Sequence, residues 1–185
     1  MTSAKRRAAL QAGDRVYLRQ PGARDRVEVL ERGRASKRLH RPWVTSPTTP
    51  EQFAAWLERI KRPDVQSFLV CRTDDDAIVG VFTLSQIFRR GFQNAYLGYY
   101  AYQPYAEQGY MREGMWLVLR QIFKTLKLHR VEANVQSENT RSIELAKRSG
   151  FRLEGFSPRY LKIGARWRDH ERWAMTVEDW RRLPR

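Results

Sequence analysis

Hydrophobic and polar positions change period along the chain, and the changes mark out elements. Residues 15–19 (RVYLR) alternate with period two, as a short strand does. Over 23–40 the spacing turns helical, with Val27, Leu30 and Leu39 on an arginine-studded background. Pro42, Pro47 and Pro50 then impose a loop that carries Trp43. Pro50 also opens a second helix, since its missing N–H costs nothing at the first helical position. Phe53, Trp56, Leu57 and Ile60 give that helix one apolar face. Two strands follow, 67–72 and 77–85, joined through Thr73-Asp74-Asp75-Asp76. Adjacent strand-end carboxylates diverge, so the aspartate run reads as a solvated hairpin turn rather than a metal site.

A strongly aromatic strand, 95–102 (AYLGYYAY), runs into a glycine-containing turn and a helix over 112–127, whose inner face is Met115, Leu119, Ile122, Phe123 and Leu126. Residues 130–135 (RVEANV) form a strand, 137–139 a capped turn, and 140–149 a short helix closed by Gly150. The last two strands are 151–156 and 167–176. No repeat, long linker or low-complexity tract interrupts the series, which describes a mixed α+β sheet protein.

Composition narrows the class. A chain of 185 residues suits one domain, and its single Cys71 excludes a disulfide framework and a cysteine-built zinc site. The N-terminus lacks the apolar run of a signal peptide, and no stretch reaches the ~18 apolar residues of a membrane span. A cytoplasmic protein with no membrane partner is the expectation. The net charge of +15 attracts polyanions: nucleic acid, ribosome surfaces or an anionic cofactor. Residues 1–41 hold twelve Lys and Arg against four acids, a net of +8, and the other 144 residues share +7. Solvated arginine faces would give the same arithmetic, so charge alone does not choose.

Chemistry concentrates where the aromatic strand meets Glu107-Gln108-Gly109-Tyr110-Met111-Arg112-Glu113-Gly114. A helix N-terminus presents unpaired N–H groups with partial positive charge, and a glycine there lets a ligand approach the backbone, so the unit can hold phosphate. A second strand-turn-helix unit follows, through Asn139-Thr140-Arg141-Ser142 to Gly150-Phe151. With these units the sequence resembles the GCN5-related N-acetyltransferase superfamily. The Leu39-x-x-Pro42-Trp43 segment, the YLGY of the aromatic strand, Gly109-Tyr110-Met111-x-Glu113 and the tail from His129 to His170 are similar to the ribosomal-protein-alanine N-acetyltransferases.

The resemblance, running from about Arg15 to Trp180, implies a single-domain fold. Its mixed, mostly antiparallel sheet has about six to seven strands with one splayed pair, flanked by about four helices. A basic tail, 1–14, would precede a domain at 15–185. It implies acetyl-CoA as co-substrate and no metal. Backbone groups of Tyr100, Ala101 and Tyr102 would pair with the pantetheine arm, and the turn Gln108, Gly109, Tyr110, Met111, Arg112, Glu113 and Gly114 would cradle the pyrophosphate. Asn139, Arg141 and Ser142 would lie beside the cofactor, with Asn139 and Ser142 at its thiol end. Asn139 could equally only cap its helix, and Ser142 only fill its first turn. The family's usual acidic tyrosine falls at Ala146, which leaves Ser142 to protonate the thiolate. A carboxylate proposed as base in some relatives falls at Arg159.

A site without a strong base fits an α-amine, which ionises near 7.7–8.0, better than a lysine near 10.4. Water leading to Glu132, or a backbone carbonyl, would take the proton, and a backbone N–H near Ala101 would hold the oxyanion. Glu132 and Asn134 share a strand face and could both simply face solvent. Tyr160 and Trp167 are either an apolar wall for the acceptor's first residue or core aromatics. The charges of Trp167-Arg168-Asp169-His170 line the peptide's way in or pair across the last hairpin. His40, His129 and His170 show no metal spacing and read as structural or surface residues, and Cys71 as a buried small hydrophobe. The leading expectation is acetyl transfer to a protein N-terminus, a ribosomal protein being the class the resemblance implies, with ribosome or polyanion contact through the basic N-terminal third. The rivals are a small-molecule amine acetyltransferase and a ribosome- or RNA-associated binding module.

Overall fold

The structure, a computed structural model, describes residues 9–184. Strands β1 (Gln11–Ala12) and β2 (Val16–Arg19) lead through a 3₁₀ turn to helices α1 (Arg26–Ala35), α2 (Lys37–His40) and α3 (Pro50–Ile60). Then come β3 (Gln66–Arg72), β4 (Ile78–Phe88), β5 (Asn94–Ala101), α4 (Tyr110–Arg120, prolonged by a π-helical turn), β6 (Arg130–Gln136) and α5 (Thr140–Arg148). A hairpin of β7 (Arg152–Ile163) and β8 (Arg166–Thr176) and a last helix, α6 (Val177–Arg182), complete the described residues. The strands form one sheet in the order β1-β2-β3-β4-β5-β6-β8-β7.

Eight strands and six helices exceed the expected count because the additions are short or irregular. Gln11–Ala12 pairs with Leu18 and Tyr17, so the sheet begins inside the stretch expected to be a tail; residues 1–8 of that stretch lie outside the described residues. The helical stretch over 23–40 breaks at Ser36, whose buried hydroxyl accepts the Gln103 N–H at 2.9 Å. α6 starts at a Thr176–Asp179 capping box, where the last strand was expected to end. β7 runs well past Phe156: Pro158 and a register shift between Ser157 and Leu161 disguise it, and both are tolerated because β7 is an edge strand.

Both faces of the central strands are covered, which is why β3 carries no clean alternation. Val16, Leu18, Phe68, Val70 and Phe82 pack on one side against Met115, Leu119 and Ile122 of α4. Tyr17, Leu69, Cys71 and Val81 pack on the other against Val29 and Leu30 of α1 and Phe53 and Trp56 of α3. Arg19 is buried there too, held by Asp25 through two hydrogen bonds of 2.7 and 2.9 Å. Breaking such a pair by removing one partner costs several kcal/mol, about 3–5, because it leaves the other charge buried alone.

One junction positions everything that follows. β5 and β6 are parallel but pair only at Asn94–Arg130, Ala95–Val131 and Tyr96–Glu132. Beyond them β5 stays on β4 as far as Ala101, and β6 stays on β8 as far as Gln136. The sheet therefore splits, and the split opens a cleft.

Candidate active site

The cleft is about 710 Å³ and lies between the last residues of β5 and those of β6. The start of α4 and the first turns of α5 bound it on one side. The end of α2 with Trp43, and Leu161, Ile163 and His170 of the β7–β8 hairpin, bound it on the other.

The backbone of β5 faces it in a defined pattern. Tyr102 N–H donates to the Val79 carbonyl at 2.8 Å. Hydrogen-bonding direction alternates along an antiparallel strand, so Tyr100 also addresses β4, while the Tyr99 N–H and carbonyl and the Ala101 N–H are turned to the cleft and the Ala101 carbonyl is taken by His40 Nε2. Of the three residues expected to pair through their backbone, Ala101 keeps that geometry. Tyr102 is corrected: its N–H is spent on Val79 and its side chain is buried under α1 and α3. Tyr100 lines the cleft with its side chain, where burial pushes the phenol up to about 12.

At the turn, Gly109 has φ +83° and ψ −8° and caps α4. A Cβ there would meet only an Arg15 guanidinium nitrogen, at 3.6 Å, so the protein itself leaves the space above the turn open. Arg112 and Glu113 N–H return to the Gly109 carbonyl, and the N–H groups of Gly109, Tyr110 and Met111 are the free donors of the helix start. Met111 and Arg112 line the cleft. The other turn residues hold the turn in place instead. One Glu113 carboxylate oxygen accepts the N–H groups of Arg15 and Val16 at 2.8 and 3.2 Å, and Gln108 donates to the Pro104 carbonyl. Tyr110 lies under the Arg15 guanidinium, 4.2 Å from its ring centre. Gly114 sits where a Cβ would press on Val70 and Phe82 at 3.1 Å, so glycine there lets α4 approach the sheet. Glu113 and Gly114 are thus scaffold, not cradle.

Asn139 accepts the Ser142 N–H at 3.3 Å and caps α5, and the Ser142 carbonyl accepts the Tyr99 hydroxyl at 2.8 Å. Both residues line the cleft, as does Arg141, which is paired at 2.6 Å with Glu107 across the gap between α5 and the turn. Arg148 pairs with Glu144, whereas Arg112 has no ion pair among the described residues. Ala146 is fully buried in the core beneath α5, so a side chain at that position would not point into the cleft.

Glu132 is withdrawn from the site. Its carboxylate accepts from Arg130 Nε at 2.9 Å and Asn94 Nδ2 at 3.1 Å, below the split, and it does not line the cleft. Trp167 is 60% exposed beside a small adjoining recess, and Tyr160 stands behind the wall with its ring 6.0 Å from that of His170. Sequence reasoning passed over Gln136 and gave His40, Asn134 and His170 no place in the catalytic set, although His170 was among the charges expected to line the peptide's way in or pair across the last hairpin. The two histidines are 4% and 3% exposed and both line the cleft. His40 bridges Ser46 Oγ at 3.0 Å and the Ala101 carbonyl at 2.8 Å, and burial lowers its pKa. Gln136 donates to the Trp43 carbonyl, and the buried Asn134 Oδ1 has no hydrogen-bond partner among the described residues. No local signal brings these four together, because they meet only around the split.

A sheet split between parallel strands, with a glycine-capped helix start at one side of the gap, defines an N-acetyltransferase architecture. The comparisons agree. The family description "Acetyltransferase (GNAT) domain" matches residues 15–152, and the chain belongs to that family. It is 30% identical over 177 residues, 90% of either chain, to the ribosomal protein uS5-alanine N-acetyltransferase of Escherichia coli (strain K12). RimJ of Mycobacterium smegmatis in complex with CoA-disulfide superposes with a TM-score of 0.83 at 25% identity, over 92% of this chain and 84% of that one. Spermidine N-acetyltransferase from Vibrio cholerae, in complex with CoA and spermine, shares the fold alone: TM-score 0.77 at 17% identity, over 91% and 99%.

This protein is therefore an acetyltransferase of a family that uses acetyl-CoA, and its cleft fits that molecule. The open space over Gly109 and the free N–H donors suit a pyrophosphate. Arg112, Arg141 and Arg148 supply positive charge, and the cleft-facing edge of β5 supplies backbone partners for an amide-bearing arm. No group of His, Cys, Asp and Glu that could hold a metal occurs among the described residues. None of their helices is long and apolar enough to cross a membrane.

Proposed function

We propose that the protein transfers acetyl from acetyl-CoA to the N-terminal α-amine of a protein, a ribosomal protein being the acceptor class, in the cytoplasm. The observation that carries this reading is the polarity of the cleft. The carboxylates lining it, Glu107 and Glu144, are paired to Arg141 and Arg148 beside α5. The opposite wall offers Asn134, Gln136, Trp43 and His170. Neutral hydrogen-bonding groups suit the backbone of a peptide's first residues, whereas a polyamine calls for carboxylates, and the +15 surface repels polycations. The relative of 90% coverage acts on a ribosomal protein's alanine, which supports the same acceptor class.

In this reading the amine attacks the thioester carbonyl directly in a ternary complex. The Ala101 N–H holds the developing oxyanion, and Ser142 protonates the departing thiolate. The exposed arginines of α1 and α2, Arg26, Arg34 and Arg38 among them, offer a polyanionic ribosome a docking face. Mass spectrometry of a cell extract incubated with the enzyme and labelled acetyl-CoA tests the proposal. Label on protein N-termini, enriched in ribosomal proteins, is expected; label on small amines alone would overturn it, and steeply salt-dependent RNA binding without turnover would point to a binding module.

A further inference from the structure

The cleft holds several ionisable side chains, and of those that are not cations all but one are committed. Arg112, Arg141 and Arg148 are cations, and the last two hold Glu107 and Glu144. The Tyr99 hydroxyl donates to the Ser142 carbonyl, and burial keeps Tyr100 protonated. His40 is locked at both nitrogens. The Ala101 carbonyl can only accept, so His40 Nε2 carries the proton, and Nδ1 takes the Ser46 hydroxyl.

His170 is different. Its Nδ1 lies 2.9 Å from the Arg168 carbonyl, which likewise can only accept, so Nδ1 carries the proton. Nε2 is left as a lone pair that no group among the described residues uses, on a ring that lines the cleft and is 3% exposed. Gln136 lies across the ladder on β6 and Ser157 on β7, with the Tyr160 ring against it. Its charged neighbours are Arg168 and Asp169 on its own strand, and Asp169 is turned to the Arg159 N–H at 2.6 Å.

We propose that His170 is the general base of the transfer, its Nε2 receiving the proton that the acceptor amine loses as it attacks the thioester. The nitrogen lone pair forms the C–N bond, and the C–S bond breaks with its electron pair leaving on sulfur. The amine proton passes to Nε2 and from there to solvent, while the thiolate takes one proton from Ser142, which water restores. One proton moves, in net, from amine to thiol. An imidazole suits an α-amine, which surrenders its proton far more readily than a lysine ammonium does. The inference rests on acetyl transfer to an amine, not on which amine is used.

The test reads thiol release with whichever acceptor the wild type accepts, N-terminal peptide or spermidine. A preference for spermidine would overturn the acceptor reading and leave this measurement intact. His170→Asn keeps an N–H for the Arg168 carbonyl but has no basic nitrogen, and His170→Gln places an amide near the Nε2 position. Both are expected to lose about 100-fold or more in kcat, with acetyl-CoA affinity in calorimetry within about twofold of wild type. The wild-type rate–pH profile should contain one ionisation more than the acceptor amine supplies, and the variants should keep only that of the amine. A His170→Asn enzyme with wild-type turnover would reduce the residue to a positioning role and overturn the proposal. Should neither variant bind acetyl-CoA, the wild-type profile decides: an acid limb that the ionisation of the acceptor amine alone accounts for overturns it.

Discussion

His40 Nε2 donates to the carbonyl of Ala101 at 2.8 Å, joining the helix on one side of the cleft to the end of the strand that splits away from β6. The bond fixes the peptide that follows Ala101, whose N–H donates to the Val79 carbonyl, and Ser46 in turn fixes the imidazole. Replacing His40 with Ala leaves a buried carbonyl and a buried hydroxyl without partners, at about 1–3 kcal/mol. Burial lowers the His40 pKa, so in acid the unfolded chain binds a proton that the folded protein resists. Its contribution to stability is whole above about pH 6.5 and is lost as pH falls below that value. Urea titrations between about pH 7.5 and 5.5 should show the wild type losing stability that His40→Gln does not lose.

Gly109→Ala separates strain from obstruction. The left-handed conformation costs a non-glycine residue about 1–2 kcal/mol, yet a Cβ finds 3.6 Å of clearance inside the protein. The variant should fold with a modestly lower Tm and lose at least about tenfold in acetyl-CoA affinity, since the methyl projects over the turn. Gly109→Trp should abolish binding. Undiminished affinity in calorimetry would remove the turn from the cofactor site.

Gly114→Ala should do the reverse. Its Cβ would meet Val70 and Phe82 at 3.1 Å, an overpacking of about 1–3 kcal/mol, with no reach into the cleft. Thermal unfolding should report the loss while the acetyl-CoA Kd holds. A weakened Kd at unchanged Tm would return Gly114 to the cradle.

Ser142 is tested through its hydroxyl, since its backbone N–H and carbonyl are engaged by Asn139 and Tyr99 and survive substitution. Ser142→Ala is expected to lower kcat about 100-fold, the lower end of general-acid catalysis, with little change in cofactor affinity. An unchanged rate would assign the proton to water.

Much of this was written locally. Pro50 at the first position of α3, the glycine turn before α4, the Asn139 cap and the left-handed Gly150 each follow from the conformations one or two residues permit. So do the strand and helix periods, and with them an α+β sheet and a phosphate-binding turn. The edge strand β7 escaped because Pro158 and its bulge are compatible with either a loop or an edge.

What only the tertiary structure decided is which neighbours the chemistry has. Glu132 and His170 are both polar residues inside strands and look alike in the sequence. One pairs with Arg130 below the point where β5 and β6 part, and the other lines the cleft above it with only its Nδ1 hydrogen-bonded among the described residues. That difference comes from strand order and register, which bring β8 beside β6 across forty residues of chain or so, and no local propensity encodes it. The sequence by itself determined that the chain builds a glycine-capped turn ahead of α4; the split in the sheet decided which side chains face it.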